Sequence, residues 1–219
     1  MLILAALACA AVNWLAVEKH WKPLEYLSKP SVMLLLLAWL WQVGGLRGWT
    51  LWFAAGIILS LAGDLFLMLP RGLFIAGLVS FFLAHLAYIA GLNPTLPPIT
   101  PATLALAAIL GIIVGQVYAR ISKGLAGAEA HALAIPVSAY SIVLTLMVLS
   151  AVLTLFRPEW YRPHALIVSC GAVVFLISDS LLAWDRFVAP LPHAPLQVML
   201  TYHMGQIGIL VGAGLHFLR

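Results

Sequence analysis

The sequence predicts an all-α protein, a polytopic membrane bundle of about eight transmembrane helices with both termini on the same side. Of its 219 residues, 64% are hydrophobic and 8% are charged, whereas charged residues make up about 25% of a soluble domain. The apolar stretches are long enough to cross a hydrocarbon layer of ~30 Å as helices of about 20 residues. They lack the alternation at every second residue that is typical of a membrane β-barrel.

The predicted spans follow one another with short breaks, which contain the proline, glycine and charged residues that end helices. We place the spans at 1–17, 30–44, 50–69, 73–92, 102–119, 131–156, 164–187 and 195–217. The second is short, which suggests a tilted or partly re-entrant segment. No polar stretch is long enough to fold as a soluble domain, so residues 1–219 are expected to form a single integral membrane domain.

Basic residues are divided unevenly between the two faces of this bundle. We call the face with both termini the terminal face and the opposite one, which carries the odd-numbered loops, the odd-loop face. The odd-loop face collects Lys19, Lys22, Lys29, Arg71, Arg120, Lys123 and Arg186, and the terminal face collects Arg47, Arg157, Arg162 and Arg219. Positive charge favours the cytoplasmic side, so we expect the termini outside, in the inner (cytoplasmic) membrane of a bacterium. The net charge of +4 indicates topology and contact with anionic membrane lipids, not nucleic-acid binding.

Two aspartates, Asp64 and Asp179, lie well inside predicted spans. A carboxylate at mid-membrane costs about 2.5–3.5 kcal/mol on insertion scales, and such residues usually face a polar cavity. Counted from the predicted helix ends, both lie about 9–10 Å from the odd-loop face at ~1.5 Å per residue. Two costly carboxyls at matched depth indicate a functional site more strongly than either would alone.

Other polar side chains reach the same layer of the bundle. Tyr202 lies at a depth similar to that of the aspartates, and Gln206 follows it at i+4 on the same helical stripe. Tyr140 has a similar depth in the sixth span, and Asn13 lies near the odd-loop end of the first. Several helices are thus expected to bring polar groups together.

The fourth span carries a stripe of residues at helical spacing, namely Phe74, Gly77, Phe81, His85 and Tyr88. Such a stripe shares one helix face, and its aromatic members are more typical of packing than of a cofactor site. His85 would lie deeper than the aspartates if this helix were straight. The pattern "GILVG" at 208–212 is typical of close helix packing.

Two nearby carboxyls in a low-dielectric pocket cannot both ionise cheaply, so one should hold a proton while the other is charged. This arrangement supplies a general acid and a general base together. The sequence has no GxSxG nucleophile elbow and no HExxH metal motif, which favours hydrolysis by water without a cofactor. A metal held by Asp64, Asp179 and His85 is an alternative that these ligand types allow.

Several ordered motifs resemble those of one family. They are "SKP" at 28–30, "GDLFLM" at 63–68, "FIAGLVSFFLAHLAYI" at 74–89, "SDSLLAWDRF" at 178–187 and "YHMGQIGI" at 202–209. Together they resemble the YhhN family of lysoplasmalogenase-like membrane proteins, over nearly the whole chain. The resemblance implies an ether-bond hydrolase of lipid metabolism, which cleaves the vinyl ether of lysoplasmalogens to a fatty aldehyde and a glycerophospho-base.

The polar residues inside the predicted spans suit this reaction. A vinyl ether is hydrolysed by protonation at carbon, which gives an oxocarbenium ion that water attacks. Asp64 and Asp179 are expected to act as a catalytic aspartate dyad. The residues expected to bind or orient the lysophospholipid or water are Asn13, Lys29, His85, Tyr88, Tyr140, Ser178, Tyr202 and Gln206. Lys29 is either a point charge for the lipid phosphate or an interfacial lysine that snorkels to the membrane surface.

Three other functions fit the same residues. Intramembrane carboxylates also serve small-molecule and proton-coupled transporters, although no internal repeat is evident between the two halves. A non-catalytic lipid-binding scaffold would tolerate loss of both aspartates. A metal-dependent hydrolase, or one that acts on another lysolipid, would keep the site and change the chemistry.

Overall fold

The structure is a computed structural model that describes residues 1–69, 72–125 and 131–218. Within these ranges every regular element is helical, so the all-α prediction is confirmed. The helices are α1 (Leu2–Glu18), α2 (Lys22–Gly44), α3 (Thr50–Met68), α4 (Phe74–Leu92), α5 (Pro101–Gly124), α6 (Ala134–Leu153), α7 (Arg162–Phe187) and α8 (Ala194–Phe217). Short 3₁₀ turns, His131–Leu133 and Thr154–Phe156, flank α6.

The lengths of these helices suit a membrane protein. Within the described residues, seven helices are long and apolar enough to cross a membrane, and α1 is an apolar helix of 17 residues. Two of the basic residues counted above, Arg71 and Arg219, lie outside the described residues.

The start and length of α2 correct the prediction for the second span. The helix begins at Lys22 rather than at residue 30 and has 23 residues, so the prediction of a short, tilted or partly re-entrant segment was wrong. Pro23 lies in the first turn, where its fixed φ suits a helix, and Pro30 lies inside the helix. A membrane helix tolerates an internal proline because neighbouring groups can compensate for the missing N–H donor. The consequence is that Lys29 belongs to the helix and is buried.

Helices α7 and α8 pack closely against each other. A methyl group added at Gly208 would lie 2.7 Å from the Cα of Gly171, and one added at Gly212 would lie 2.8 Å from the Cβ of Val168. Only glycine permits this approach, so the packing expected for "GILVG" is confirmed. These two helices carry Asp179 and Tyr202 and hold them in a fixed relation.

By contrast, α5 lies at the periphery of the bundle. It packs mainly on α6 and α7, and of its 24 residues only Thr103 and Ile121 are buried. Its start is well defined because the Thr100 side chain accepts a hydrogen bond from the Thr103 N–H in a capping box. The N-terminus of α5 is therefore well defined, although few of its side chains pack against the rest of the bundle.

At the terminal face, Arg157 joins two loops. Its guanidinium donates to Asn93 Oδ1 at 2.7 Å, to Thr95 Oγ1 at 2.7 Å and to the Thr95 carbonyl at 3.1 Å. The side chain is buried, so Arg157 is a structural clamp rather than a charge facing lipid head groups. Hydrogen bonds from the Glu159 backbone N–H and the Thr95 hydroxyl, together with the charge of Arg157, hold the pKa of Glu159 below its ordinary value.

Candidate active site

A cavity with about 940 Å³ of empty space, which includes the space at its open mouth, lies among α2 to α8 toward the odd-loop face. It lies at the ends of α3, α5 and α7 and at the starts of α4, α6 and α8. Most of its lining is apolar. Six of the predicted site residues line it, namely Lys29, Asp64, Tyr140, Ser178, Asp179 and Tyr202. The prediction that both aspartates and Tyr202 occupy one layer is therefore confirmed.

Asp64 on α3 is held by two other helices. Its Oδ1 lies 3.0 Å from the Lys29 Nζ on α2, and its Oδ2 accepts a hydrogen bond of 2.8 Å from the Tyr202 hydroxyl on α8. The Asp64 side chain is only 1% exposed. Removing one partner of a buried ion pair leaves an uncompensated charge, so Lys29 and Asp64 stabilise this part of the fold only together.

The position of Lys29 rules out a snorkelling lysine at the membrane surface. Its side chain is 6% exposed, and its ammonium lies on Asp64 and 5.9 Å from the centre of the Tyr202 ring. Because α2 starts before Lys29, the side chain points into the bundle instead of leaving a loop. A buried ammonium needs an anion, and Asp64 supplies it.

Asp179 on α7 has a different set of partners. The Tyr140 hydroxyl on α6 donates a hydrogen bond to its Oδ2, and the His85 Nε2 on α4 lies 2.9 Å from the same hydroxyl. The Asp179 side chain is 15% exposed. These three residues form a chain that leads from the buried interior to the cavity.

The hydroxyl geometry fixes the imidazole tautomer in this chain. Tyr140 has one proton and donates it to Asp179, so its oxygen must accept from the His85 Nε2–H. The His85 Nδ1 has no hydrogen-bond partner among the described residues. In this arrangement His85 therefore donates from its Nε2 to Tyr140.

The depth mismatch expected for His85 does not keep it from the site. Its Nε2 lies 3.9 Å from the Asp179 Oδ2, because the long Tyr140 side chain from α6 reaches between the two. The other members of the α4 stripe face inward as predicted: Gly77, Phe81 and Tyr88 are buried. The Phe81 ring meets Tyr202 edge-on, with centroids 5.9 Å apart.

The remaining predicted residues make hydrogen bonds in the interior of the bundle. The Tyr88 hydroxyl donates to the Gln206 Oε1 at 2.7 Å, and both side chains are fully buried. The Ser178 hydroxyl donates to the Val198 carbonyl at 3.0 Å and so links α7 to α8. The Asn13 side chain donates to the Ser28 hydroxyl at 3.0 Å, next to Lys29 along the chain. Asn13, His85, Tyr88 and Gln206 do not line the cavity.

The two carboxyls belong to separate networks. No hydrogen bond among the described residues joins Asp64 directly to Asp179, so they face one cavity without forming a hydrogen-bonded dyad. Nor do the described ranges contain a group of three or more His, Cys, Asp or Glu side chains placed to hold a metal ion. What the arrangement offers is one carboxyl beside a cation and one beside a tyrosine and a histidine.

Arg186 is a cavity residue that the sequence analysis treated only as a surface charge. Its guanidinium lies 3.9 Å from the centre of the Phe74 ring, and it lines the odd-loop end of the cavity. Its sequence neighbour Asp185 instead accepts a hydrogen bond from the Leu191 N–H at 2.8 Å. A signal was present: Arg186 follows Asp179 by seven residues, which places both on one helical face.

Sequence similarity to known proteins identifies the family of this chain. Residues 24–213 match the YhhN family. The chain belongs to the YhhN family. It is 31% identical to the human lysoplasmalogenase TMEM86B over 199 residues, which cover 88% of this chain and 79% of the human protein. It is also 29% identical to the mouse lysoplasmalogenase TMEM86B over 94% of this chain and 83% of the mouse protein.

A bacterial relative extends this set. The lysoplasmalogenase of Mycobacterium tuberculosis is 30% identical over 176 residues, which cover 77% of this chain and 61% of the mycobacterial protein. No solved structure matches the chain significantly. The predicted family is confirmed, and with the long apolar helices it identifies an integral membrane protein.

Proposed function

We propose that this protein is a lysoplasmalogenase-like hydrolase, which cleaves the vinyl ether bond of a lysoplasmalogen to a fatty aldehyde and a glycerophospho-base. The observation that carries this proposal is the similarity to lysoplasmalogenases from human, mouse and a mycobacterium over most of the chain. The membrane cavity with two carboxyls supports it, because a single-chain lipid and water can meet there. The substrate is a lysophospholipid that comes from the surrounding membrane.

The reaction needs three functions from the protein. A proton must be delivered to the vinyl carbon that does not bear oxygen, and the resulting oxocarbenium ion must be stabilised by an anion. Water then adds to the oxygen-bearing carbon and loses a proton to a base. The hemiacetal that forms breaks its bond to the glycerol oxygen, which takes up a proton, and releases the aldehyde.

We assign the stabilising anion to Asp64. Each of its oxygens already has a partner, the Lys29 ammonium at 3.0 Å and the Tyr202 hydroxyl at 2.8 Å. These contacts favour a carboxylate that is charged and fixed before the substrate binds. A preorganised charge in a dry site stabilises an oxocarbenium ion more than a solvated one can.

We assign the proton transfers to Asp179. Tyr140 contacts only its Oδ2, which leaves Oδ1 for the substrate, and no Lys or Arg forms an ion pair with it among the described residues. In its protonated form Asp179 donates to the vinyl carbon. As a carboxylate it then accepts a proton from the attacking water, which regenerates the acid. The His85–Tyr140 pair positions the carboxyl during both steps.

We assign the lipid phosphate to Arg186 rather than to Lys29, because Lys29 is committed to Asp64. Arg186 lies at the odd-loop end of the cavity, seven residues or roughly 10 Å along α7 from Asp179. The glycerol between an ether oxygen and the phosphorus spans about 6 Å when extended, and the arginine side chain covers the rest. A guanidinium also matches a phosphate through two parallel hydrogen bonds.

The catalytic assignment is tested with purified Asp64→Asn and Asp179→Asn. Both should lose at least about 10²-fold in aldehyde release from lysoplasmalogen, the scale of acid–base and electrostatic catalysis. Asp185→Asn is the matched control, since this aspartate lies on α7 outside the cavity lining and should retain wild-type turnover. Near wild-type activity of either cavity variant would refute the mechanism.

The phosphate assignment has its own test. Arg186→Gln should raise KM about tenfold with little change in kcat, because one charge-assisted contact to the substrate is lost. Arg120→Gln is the control, since Arg120 lies over Trp184, 5.7 Å from the ring centre, and does not line the cavity. Equal KM values for the two variants would remove Arg186 from the head-group site.

The substrate class is tested with a panel of lysolipids and products identified by mass spectrometry. Release of aldehyde from vinyl ether lipids alone would support the proposal. Release of a fatty acid from acyl lysolipids would point to a different hydrolase. Substrate flux across liposomes with no product would point to a transporter.

We also propose that the odd-loop face is cytoplasmic and that the membrane is the inner membrane of a bacterium. Lys19, Lys22, Arg120, Lys123 and Arg186 lie on that face, whereas Arg157, expected on the terminal face, is buried as a clamp. The cavity would then open toward the cytoplasm. A fluorescent protein that matures only in the cytoplasm should stay dark when fused to the C-terminus, and a bright fusion would reverse the orientation.

A further inference from the structure

An apolar groove runs between α5 and α6 on the outer side of the bundle. It has about 640 Å³ of empty space. It is lined by Gly111, Gly115 and Tyr118 from α5 and by Ser141, Ile142 and Leu146 from α6, among others. The groove faces the region that lipid occupies around a membrane protein.

The groove adjoins the catalytic cavity. Val114, Tyr118 and Ser141 line both spaces. From Tyr118 to Gly111 the groove extends seven residues along α5 and away from the odd-loop face, a length of roughly 10 Å. A flexible apolar chain that starts at the aspartates can leave the cavity by this route.

Two glycines keep the groove open. A Cβ added at Gly111 or at Gly115 would meet no atom of the described part of the chain within 4 Å. On α8, by contrast, a Cβ added at Gly208 would collide with the backbone of α7. The α5 glycines therefore serve no helix contact, although glycine weakens a helix relative to other residues. What they provide is space.

We propose that this groove holds the hydrocarbon chain of the lysolipid and that Gly111 and Gly115 provide the space that long chains need. This inference rests on the function proposed above. With the phosphate at Arg186 and the vinyl ether between the aspartates, the chain points into the groove. The roughly 10 Å of groove holds about eight methylenes at ~1.3 Å each, and the rest of a longer chain continues into the bilayer.

The experiment compares Gly115→Leu and Gly111→Leu on lysoplasmalogens whose chains have about 4 to about 16 carbons, shorter and longer than the groove. Both variants should lose about tenfold or more in kcat/KM on the longest chain and stay within about twofold of wild type on the shortest. Because Gly115 lies nearer the cavity, its variant should begin to fail at a shorter chain than Gly111→Leu. Ala105→Leu, at an exposed α5 position outside the groove, should match wild type at every length.

Several results would overturn the inference. They are an unchanged chain-length profile, equal losses on short and long chains, or a reversed order of the two cut-offs. Gly111→Ala and Gly115→Ala, which add a single carbon into open space, guard against misfolding and should show the same order with smaller losses. Wild-type protein without aldehyde release at any chain length would instead refute the proposed function, and the two failures are thus distinguishable.

Discussion

Asp64 and Asp179 are the same residue type at the same predicted depth, and they face one cavity, yet their surroundings differ. Asp64 is 1% exposed and contacts the Lys29 ammonium and the Tyr202 hydroxyl. Asp179 is 15% exposed, and among the described residues its side chain accepts one hydrogen bond, from Tyr140, with the His85 Nε2 3.9 Å away. The first is a carboxyl with its charge compensated and its oxygens engaged, and the second keeps one oxygen open to the cavity.

This difference is the basis of the two roles proposed above. A fixed, charge-compensated carboxylate suits the stabilisation of a cation, whereas an accessible carboxyl with an open oxygen suits proton transfer. Two carboxyls separated by their environments are the general device by which acid and base functions coexist at one pH.

The largest expected difference between the two aspartates is in how their substitution by Asn affects activity and stability. Asp179→Asn should lower kcat by about 10³-fold with the midpoint of thermal unfolding nearly unchanged, since its amide can still accept the Tyr140 hydrogen bond. Asp64→Asn should lower activity and stability together, because it leaves the Lys29 ammonium buried without an anion. Aldehyde release and unfolding in detergent measure the two effects, and an unstable Asp179→Asn would contradict the distinction.

Disruption of the Lys29–Asp64 ion pair is expected to give the next largest effect. Lys29→Met should destabilise the protein by about 3 kcal/mol, because it leaves Asp64 as an uncompensated buried charge. The double variant Lys29→Met with Asp64→Asn should regain most of that free energy of unfolding and stay inactive. If the two single losses simply add in the double variant, the pair is not coupled and Asp64 has another source of compensation.

Removal of single hydroxyl groups should have smaller and unequal effects. Tyr140→Phe deletes the hydrogen bond to Asp179 and should lower kcat about tenfold or more, in line with about 1.5–3 kcal/mol for a hydrogen bond to a charged group. Tyr202→Phe should cost less, because Lys29 still holds Asp64 at 3.0 Å. Steady-state kinetics of both variants provide the test, and a larger loss for Tyr202→Phe would reverse the assigned roles.

The smallest effect is expected from chelators. Dialysis against a strong chelator should leave kcat unchanged, because each carboxyl already has partners among the protein side chains. Loss of activity that zinc or another divalent cation restores would show that the two carboxyls share a metal. They would then act as one site, and the contrast between them would disappear.

The sequence was sufficient for the helices and for the pairing of distant residues in one cavity. Hydrophobic run length predicts spans because the bilayer sets it, and depth along each helix placed Asp64, Asp179 and Tyr202 in one layer. The predicted start of the second span was wrong. Lys-Pro at 29–30 is typical of a helix boundary, whereas α2 continues through Pro30.

The partners of charged residues were the part that the sequence could not supply. Lys29 binds Asp64, and Arg157 binds the loop at 93–95, although both were assigned to membrane faces. A cation near a predicted helix end looks the same in sequence whether it faces head groups or turns inward, since the choice depends on which neighbours lie across the bundle. For Arg186 the seven-residue spacing from Asp179 was a usable signal.

The loose packing of α5 affects how proteins of this design diversify. The glycine contacts of α7 and α8 leave no room for a larger side chain at Gly208 and Gly212. On α5, where most residues are exposed, substitutions alter the fit to a lipid tail at little cost in folding. Under the tail-binding proposal above, chain-length preference could therefore be altered on α5 without disturbing the helices that hold Asp179 and Tyr202.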